Sequence, residues 1–501
     1  MEADNEVRHR MYSYWRKPQS AGIGQLSTVT TFFLVGGALV VVLVHLLSNI
    51  GVALCVAVLD VLLIFLMSRK DKHGRSLMMR AANRLAWKRA VRRKTNIYRS
   101  GPLGFTPHGR NQLPGIGSLV ELSEQQDSWG RPFALLHIPF RGHFTIIFAG
   151  EPDGGALVDQ SQVDVWVAHW GEWLATISNE PGVVAASVTV ESAPDFGTRL
   201  RTEVESNLDP DAPTLASTVL REIVSSYPRN SATLKAFVAV TFTSQTREGG
   251  KKRTVDEVAR DLGSKIGFMG QRLGHAGAGA VRPLTSQEVC EVIRVAYDPG
   301  VAAVLAEARA NGEAADICWE NVGPVGADTG WDYYRHDSGI SRTWQMTQAP
   351  RGAVYSNVLQ RLLEPSPMIA RKRITLAYRP IDPARAAGIV ERDRKDTNIR
   401  LTSTQQPTFQ VQTEKMAADA TAAEEARGAG LVNFGMYATA TVLDRADLAD
   451  ASAAIENLAA GARLFLRPVT GSQDSAFAAA LPIGLVLPEY QMLPTAILKG
   501  V

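Results

Sequence analysis

Cysteine is scarce in this sequence of 501 residues. The chain holds three cysteines, Cys55, Cys290 and Cys318, and no two of them form a Cys-x-x-Cys pair. This spacing excludes a disulfide framework and a zinc module, and it is typical of a reducing compartment. Hydrophobic residues make up 45% and charged residues 21% of the chain, so wholesale disorder is excluded as well.

The common catalytic motifs are also missing. The sequence contains no Gly-x-x-x-x-Gly-Lys-Ser/Thr phosphate loop, no His-Glu-x-x-His zinc motif and no Gly-x-Ser-x-Gly elbow. The glycine-rich stretch 270–279 follows a predicted helix, whereas a dinucleotide-binding loop follows a strand. His336-Asp337 falls in a predicted hairpin turn. We therefore expect no enzyme activity, no cofactor and no metal. A membrane-tethered enzyme of unknown type stays an alternative, which would require polar residues clustered in a pocket.

Positive charge is concentrated at one end of the chain. Residues 1–100 hold 16 Lys and Arg against 5 Asp and Glu, whereas residues 101–501 hold 37 against 45. The larger part is therefore acidic and lacks the general positive field that holds nucleic acid. We expect no direct contact with nucleic acid, and a DNA-handling coupling factor is disfavoured.

Two apolar runs, 26–47 and 51–67, lie close together near the start of the chain. A membrane span needs about 20 apolar residues, so the pair predicts a tight transmembrane helical hairpin. Lys and Arg flank both runs, with 12 of them between Arg69 and Arg99, and the connecting residues carry none. The positive-inside rule then predicts the inner (plasma) membrane with both termini in the cytoplasm.

Asp60 is an unusual residue for such a run, because a carboxylate within a membrane costs a few kcal/mol. Gly36 and Gly37 stand at a similar depth of the first helix and allow close approach of a second backbone. We interpret the three residues as a contact with another membrane subunit. A protonated, hydrogen-bonded Asp60 and a proton relay are the alternatives.

A basic segment follows the apolar runs. Its apolar residues are interspersed among the cations, which predicts a helix held by anionic lipid, with DNA contact and partner docking as alternatives. The cations assigned to this lipid-facing segment are Arg69, Lys70, Lys72, Arg75, Arg80, Arg84, Lys88, Arg89, Arg92, Arg93 and Lys94.

The remainder alternates between strand and helix patterns. Apolar runs at 133–138 and 144–149 predict a hairpin, helical spacing covers 163–177 and 213–227, and 383–430 is mostly helical. The fold class predicted is α+β, in which an N-terminal two-helix transmembrane hairpin precedes two cytoplasmic ferredoxin-like α/β sandwich lobes. A distant duplication of the two lobes is left open. The predicted divisions are a cytoplasmic N-terminus (1–25), the hairpin (26–67), a basic helix and linker (68–117), a first lobe (118–325) and a second lobe (326–501).

Three tryptophans share one face of the helix predicted at 163–177. Trp166, Trp170 and Trp173 are spaced i, i+4 and i+7. Such a stripe is typical of a buried core face. It is also a candidate partner-docking face, because aromatic residues are enriched in interface hot spots.

The order of these features resembles a known family. Tyr14-Trp15-Arg16-Lys17-Pro18 before a tight hairpin resembles the PrgI-like small inner-membrane subunit of type IV secretion and conjugation machines. The rest resembles the N-terminal, non-motor region of the large ATPase of the same machines. The segments that carry this second resemblance are Leu284-Thr285-Ser286-Gln287-Glu288, Ala296-Tyr297-Asp298-Pro299, Thr343-Trp344-Gln345-Met346, Arg373-Ile374-Thr375-Leu376, Pro380-Ile381-Asp382-Pro383 and Asp474-Ser475-Ala476-Phe477-Ala478-Ala479-Ala480-Leu481-Pro482.

The combination is similar to an actinobacterial integral-membrane family found in mobile-element loci beside a separate ATPase. The resemblance implies a non-catalytic, membrane-anchored scaffold subunit that docks that ATPase and small inner-membrane subunits, and it leaves room for a homo-oligomer. An EccE-like component of a type VII secretion complex is the alternative.

Overall fold

The computed structural model describes residues 10–13, 15, 28–69, 71, 75, 77–102, 104, 106–152, 158–226, 232–245, 250–313, 315–350, 352–402, 406 and 408–490. Most of the predicted N-terminal segment 1–25, together with Lys70 and Lys72, lies outside these residues. The first elements along the chain are β1 (Met11–Tyr12), α1 (Thr28–Leu47), α2 (Ile50–Ser68), α3 (Leu77–Arg92) and β2 (Ile97–Arg99).

The first two helices form the predicted hairpin, but the structure does not make it transmembrane. No helix in the described ranges is long and apolar enough to cross a bilayer. His45 in α1 and Asp60 in α2 interrupt the apolar runs, which at 32–44, 51–59 and 61–67 are each shorter than the roughly 20 residues that a span needs. This finding overturns the transmembrane part of the predicted fold class. The α+β class itself is confirmed by a large antiparallel sheet.

The first half of that sheet is built from residues 121–310. Its elements in chain order are β3 (Glu121–Gln126), β4 (Pro132–Ile138), β5 (His143–Glu151), α4 (Gln160–Asn179), β6 (Val183–Pro194), α5 (Thr198–Asn207), α6 (Thr214–Ser226), β7 (Ala232–Thr243), α7 (Val255–Leu273), β8 (Ala280–Pro283), α8 (Ser286–Tyr297) and α9 (Ala302–Ala310). Helices α7 and α8 each begin with a capping box, in which a threonine and a glutamate satisfy free backbone N–H groups.

The second half is built from residues 326–479. Its elements are β9 (Gly326–Thr329), β10 (Tyr334–His336), β11 (Gly339–Gln348), β12 (Val354–Tyr355), α10 (Gln360–Leu363), β13 (Arg371–Pro380), α11 (Pro383–Thr402), α12 (Phe409–Ala426), β14 (Val432–Val442), α13 (Leu448–Gly461), β15 (Phe465–Pro468) and α14 (Gln473–Ala479). Strand β1 pairs with β12, so Met11 and Tyr12 lie against this half.

Within the described residues, 13 strands form one sheet in the order β2-β9-β10-β11-β14-β13-β6-β7-β5-β4-β3. Strand β8 pairs with β5, and β15 pairs with β11 in the equivalent place. The two predicted lobes are therefore halves of one sheet, joined where β6 and β13 pair antiparallel.

The two halves repeat one topology. Apart from α9 in the first half and β12 in the second, each half begins with three strands and a helix. Two strands that enclose a pair of helices come next, and a helix, a strand and a helix complete the half. Matching threonine pairs occupy the same strand pair in each half, with Oγ1–Oγ1 distances of 2.9 Å between Thr145 and Thr241 and 3.0 Å between Thr343 and Thr439. The two halves thus share one succession of elements around an antiparallel centre, which is the arrangement that a duplication would produce.

Buried apolar residues cover both faces of the sheet. One cluster packs α4 and α7 on the first half, and a second packs α10 and α13 on the second half. A third cluster lies on the opposite face and includes residues of α8, α14 and both halves of the sheet. Because this third core contains residues of both halves, the two halves pack together as one body.

Candidate functional site

A buried ion cluster lies at the seam between the two halves. Glu191 of β6 faces Arg371 and Arg373 of β13, and all three residues are less than 9% exposed. Arg373 donates to Glu191 Oε2 from Nε (3.0 Å) and Nη2 (2.6 Å), and Arg371 donates to Oε1. Burial alone would raise the pKa of Glu191, but the two arginines lower it to about 2. The cluster thus fixes β6 against β13 through charge.

His336 forms a second buried polar group nearby. Its Nδ1 lies 2.6 Å from the carbonyl oxygen of Tyr297, and its Nε2 lies 2.7 Å from the hydroxyl of Ser341. Ser341 in turn lies 2.7 Å from the hydroxyl of Thr441. Burial lowers the pKa of His336 to about 4, so the ring is neutral at pH 7. With both ring nitrogens engaged, this histidine links α8 to the sheet.

Three of the six segments that carry the resemblance, those of Tyr297, Arg373 and Phe477, meet around these two groups. The ring of Phe477 lies 5.1 Å from that of Tyr297, and the Arg373 guanidinium lies 5.5 Å from the Phe477 ring. Trp344 is fully buried in the core of the second half. These motif residues therefore act in packing.

The hairpin brings two of the three predicted subunit-contact residues together. Asp60 of α2 lies directly against Gly37 of α1, where a Cβ would overlap its carboxyl group. Gly36 has no neighbour within 4 Å of the place where its Cβ would be. Glycine at position 37 is thus what lets the two helices approach at Asp60. Contact with another subunit stays a prediction.

The basic segment divides into two groups. Lys88, Arg89, Arg92, Arg93 and Lys94 are exposed towards the end of α3 and beyond it. Arg69 is exposed and stacks on the Phe65 ring at 5.5 Å. The second group, Arg75, Arg80 and Arg84, lines a cavity against the second half of the sheet, and in it Arg75 is half-buried whereas Arg80 and Arg84 are exposed.

That cavity has a volume of about 380 Å³. Its wall on the second half is formed by Trp331 and Thr470, and α3 contributes Asn83 beside the arginines. The Trp87 and Trp331 rings meet edge to face at 5.9 Å, which docks α3 on this wall. The sequence analysis assigned these arginines to a lipid-facing surface and did not predict the cavity. The residues of its opposite wall, Trp331 and Thr470, stand roughly 250 to 390 positions after the arginines in the sequence.

The tryptophan stripe of α4 packs against the molecule's own core. Trp173 is 2% exposed, and its ring stacks on that of Trp170 with centroids 4.7 Å apart. Trp170 also meets Tyr378 of β13 edge to face at 5.7 Å. Trp166 lies against Gly277, where a Cβ would come within 2.9 Å of its ring. In this chain the stripe packs α4 onto the sheet across the seam.

An apolar stripe that the sequence reasoning did not single out lies on α6. Leu215, Val219, Leu220 and Ile223 are 78%, 45%, 38% and 46% exposed. Their spacing places them on one side of the helix. None of the three cores includes them, although the helical pattern of 213–227 could have predicted an amphipathic surface.

No group of three or more His, Cys, Asp or Glu side chains in the described ranges is arranged to hold a metal ion. One family profile, described as a domain of unknown function (DUF8461), matches residues 19–79. The match covers α1, α2 and the beginning of α3. No curated protein matches the chain.

Proposed function

We propose that the chain is a non-catalytic scaffold subunit of a conjugation or type IV secretion-like apparatus that docks a separate ATPase. The observation that carries the proposal is the exposed apolar stripe of α6. The layout of the resemblance segments supports the assignment to this kind of machine. Small inner-membrane subunits, a second copy of the chain and anionic lipid beside the exposed cations of α3 stay predictions as further partners.

The position of α6 suits a docking role. Helices α5 and α6 are inserted between the adjacent strands β6 and β7, and α5 packs on α9, where Arg201 Nη2 and Glu307 Oε2 pair at 2.5 Å. This contact supports one side of the insertion and leaves the α6 stripe uncovered. The stripe places four exposed apolar side chains on one side of the helix, and contiguous apolar patches on a monomer are often functional.

The equivalent insertion in the second half has a different surface. Helices α11 and α12 pack on each other and are crossed by ion pairs such as Arg400–Glu414 (3.1 Å) and Arg394–Asp419 (3.2 Å). Its exposed apolar residues, such as Phe409 and Ile399, are scattered among charges. We therefore assign the docking of the ATPase to α6. A helix that binds in a hydrophobic groove of a partner presents a continuous apolar stripe to it.

The test is purification of the tagged full-length protein from its host, followed by mass spectrometry of the proteins that accompany it. The wild type is expected to bring down a separate ATPase, and the Val219→Asp/Ile223→Asp variant is expected to lose it. Val304→Asp is the control, since Val304 is 67% exposed on α9 outside the stripe. Absence of an ATPase from the wild-type sample, or equal capture by all three proteins, contradicts the proposal.

A further inference from the structure

Arginines converge on the cavity between α3 and the second half of the sheet. Arg80 and Arg84 are one helical turn apart, so their side chains share a face of α3. Trp87 continues that face and fixes it against Trp331. Arg75, just before the helix, completes a group of three guanidinium ions around one space.

Positive charge exceeds negative charge in the lining that the structure describes, with three guanidinium groups against one carboxylate. The acidic side chain in the lining is Asp71, whose Oδ1 accepts a hydrogen bond from the backbone N–H of Arg75 (3.0 Å). Burial, and then the charge of Arg75, lower the pKa of the neighbouring Arg467 to about 10, against the opposing effect of the Asp71 carboxylate. The Nε atoms of Arg75 and Arg467 are both buried without a hydrogen-bond partner. Buried donors and crowded cations of this kind are satisfied by an anion.

The wall opposite α3 is firmly held. Trp331 accepts a backbone hydrogen bond from Gly471 at 2.7 Å, and Gly471 has a φ of 80°, which favours glycine. A Cβ on Gly471 would lie 3.0 Å from the Trp331 ring, so the two are closely packed. Thr470, next to this glycine, adds a hydroxyl group to the lining. The cavity thus combines guanidinium donors, a hydroxyl and an aromatic surface.

We propose that this cavity binds a phosphate monoester, with the phosphoryl oxygens held by Arg75, Arg80 and Arg84. Arginine forks match phosphate oxygens in pairs, which favours this anion over a single halide. A cavity of about 380 Å³ lies within the size range of small-molecule sites and has room for a substituent against Trp331. The phosphate comes from a lipid headgroup or from a soluble metabolite, which share this chemistry. The site is independent of the α6 docking function.

The experiment uses the full-length protein and two probes. Binding of sn-glycerol 3-phosphate is measured by calorimetry, and binding to vesicles of phosphatidic acid in phosphatidylcholine is measured by sedimentation. Arg80→Gln/Arg84→Gln removes two cations that line the cavity. Arg89→Gln/Arg92→Gln is the matched control, since it removes two cations of the same helix that do not line it.

We expect the cavity variant to weaken binding about tenfold or more, because charge-assisted hydrogen bonds to phosphate are lost, and the control to change it less than about twofold. Binding of both probes with this pattern indicates a lipid headgroup. Binding of the soluble phosphate alone indicates a metabolite. Failure of both probes to bind, or equal loss in the two variants, overturns the proposal, since equal loss means diffuse attraction to a basic helix.

Discussion

The substitution Glu191→Gln tests how the two halves of the sheet are held together. Glu191 is the one acidic partner of Arg371 and Arg373 in the described seam. Glutamine keeps the size and one carbonyl acceptor, but it removes the negative charge. Two buried guanidinium ions then face each other without a counter-charge, which is the costly way to break a buried ion cluster.

The magnitude follows from the pKa of the carboxyl group. A folded value of about 2 against an ordinary 4.5 corresponds to about 3 kcal/mol of unfolding free energy at pH 7. Because the folded pKa is lowered, this contribution is complete above pH 4.5 and falls to about 1.5 kcal/mol at pH 3. With an unfolding entropy of about 2.1 cal/mol/K per residue over roughly 400 residues, the loss at pH 7 lowers Tm by about 3–4 °C.

Differential scanning calorimetry at pH 7 and pH 3 measures both quantities. The control is Glu180→Gln, which breaks the part-exposed pair of Glu180 with Lys265 (2.8 Å) and is expected to lower Tm by less than about 1 °C. An unchanged Tm in Glu191→Gln refutes the reasoning. So does a shift of the same size in the control, or a shift that is equally large at pH 3.

Three further substitutions examine other parts of the structure. Trp173→Ala is expected to lower the free energy of unfolding by about 3–5 kcal/mol in denaturant titrations, because it leaves a cavity in the core. A loss below about 1 kcal/mol contradicts the placement of Trp173 in the core. The pKa of His336 is lowered to about 4 in the folded protein, so its side chain takes up a proton more readily in the unfolded chain. The free energy of unfolding therefore falls by about 2 kcal/mol between pH 7 and pH 5 because of this group. His336→Gln should reduce the fall in Tm over this range, and an unchanged fall counts against the assignment. Gly37→Ala should speed backbone hydrogen exchange in α2, because the new Cβ would overlap the carboxyl group of Asp60. Gly36→Ala is the control and should leave the exchange rates as in the wild type. Equal rates in the two variants would disprove the contact.

Local elements were predictable where one physical signal dominates. The hairpin expected at 133–138 and 144–149 is β4 and β5, and the helix expected at 213–227 is α6. The capping box at Thr285 and Glu288 is a signal of the same local kind, since both of its hydrogen bonds join residues three apart. The close approach of Gly37 to Asp60 was also predictable, because a tight turn fixes the depth at which two helices pair.

Long-range relations could not be derived in this way. The pairing of Glu191 with Arg371 joins residues 180 positions apart, and nothing in either strand marks its partner. The transmembrane assignment was wrong: it rested on the hydropathy of the two runs with Asp60 accepted within a span, and no described helix is long and apolar enough to cross a bilayer. One signal of the duplication was present: Arg282-Pro283-Leu284-Thr285 and Arg467-Pro468-Val469-Thr470 stand at equivalent places in the two halves.

Site-specific photo-crosslinking at Val219 tests the docking of an ATPase on α6 most directly. A photoreactive residue at position 219 of the full-length protein is activated in the host cell, and crosslinked partners are identified by mass spectrometry. The same residue at position 304 on α9 serves as the control, because Val304 is also exposed. The account predicts an ATPase crosslinked from 219 and absent from 304. Crosslinks from 219 only to lipid, to unrelated proteins or to nothing would contradict it.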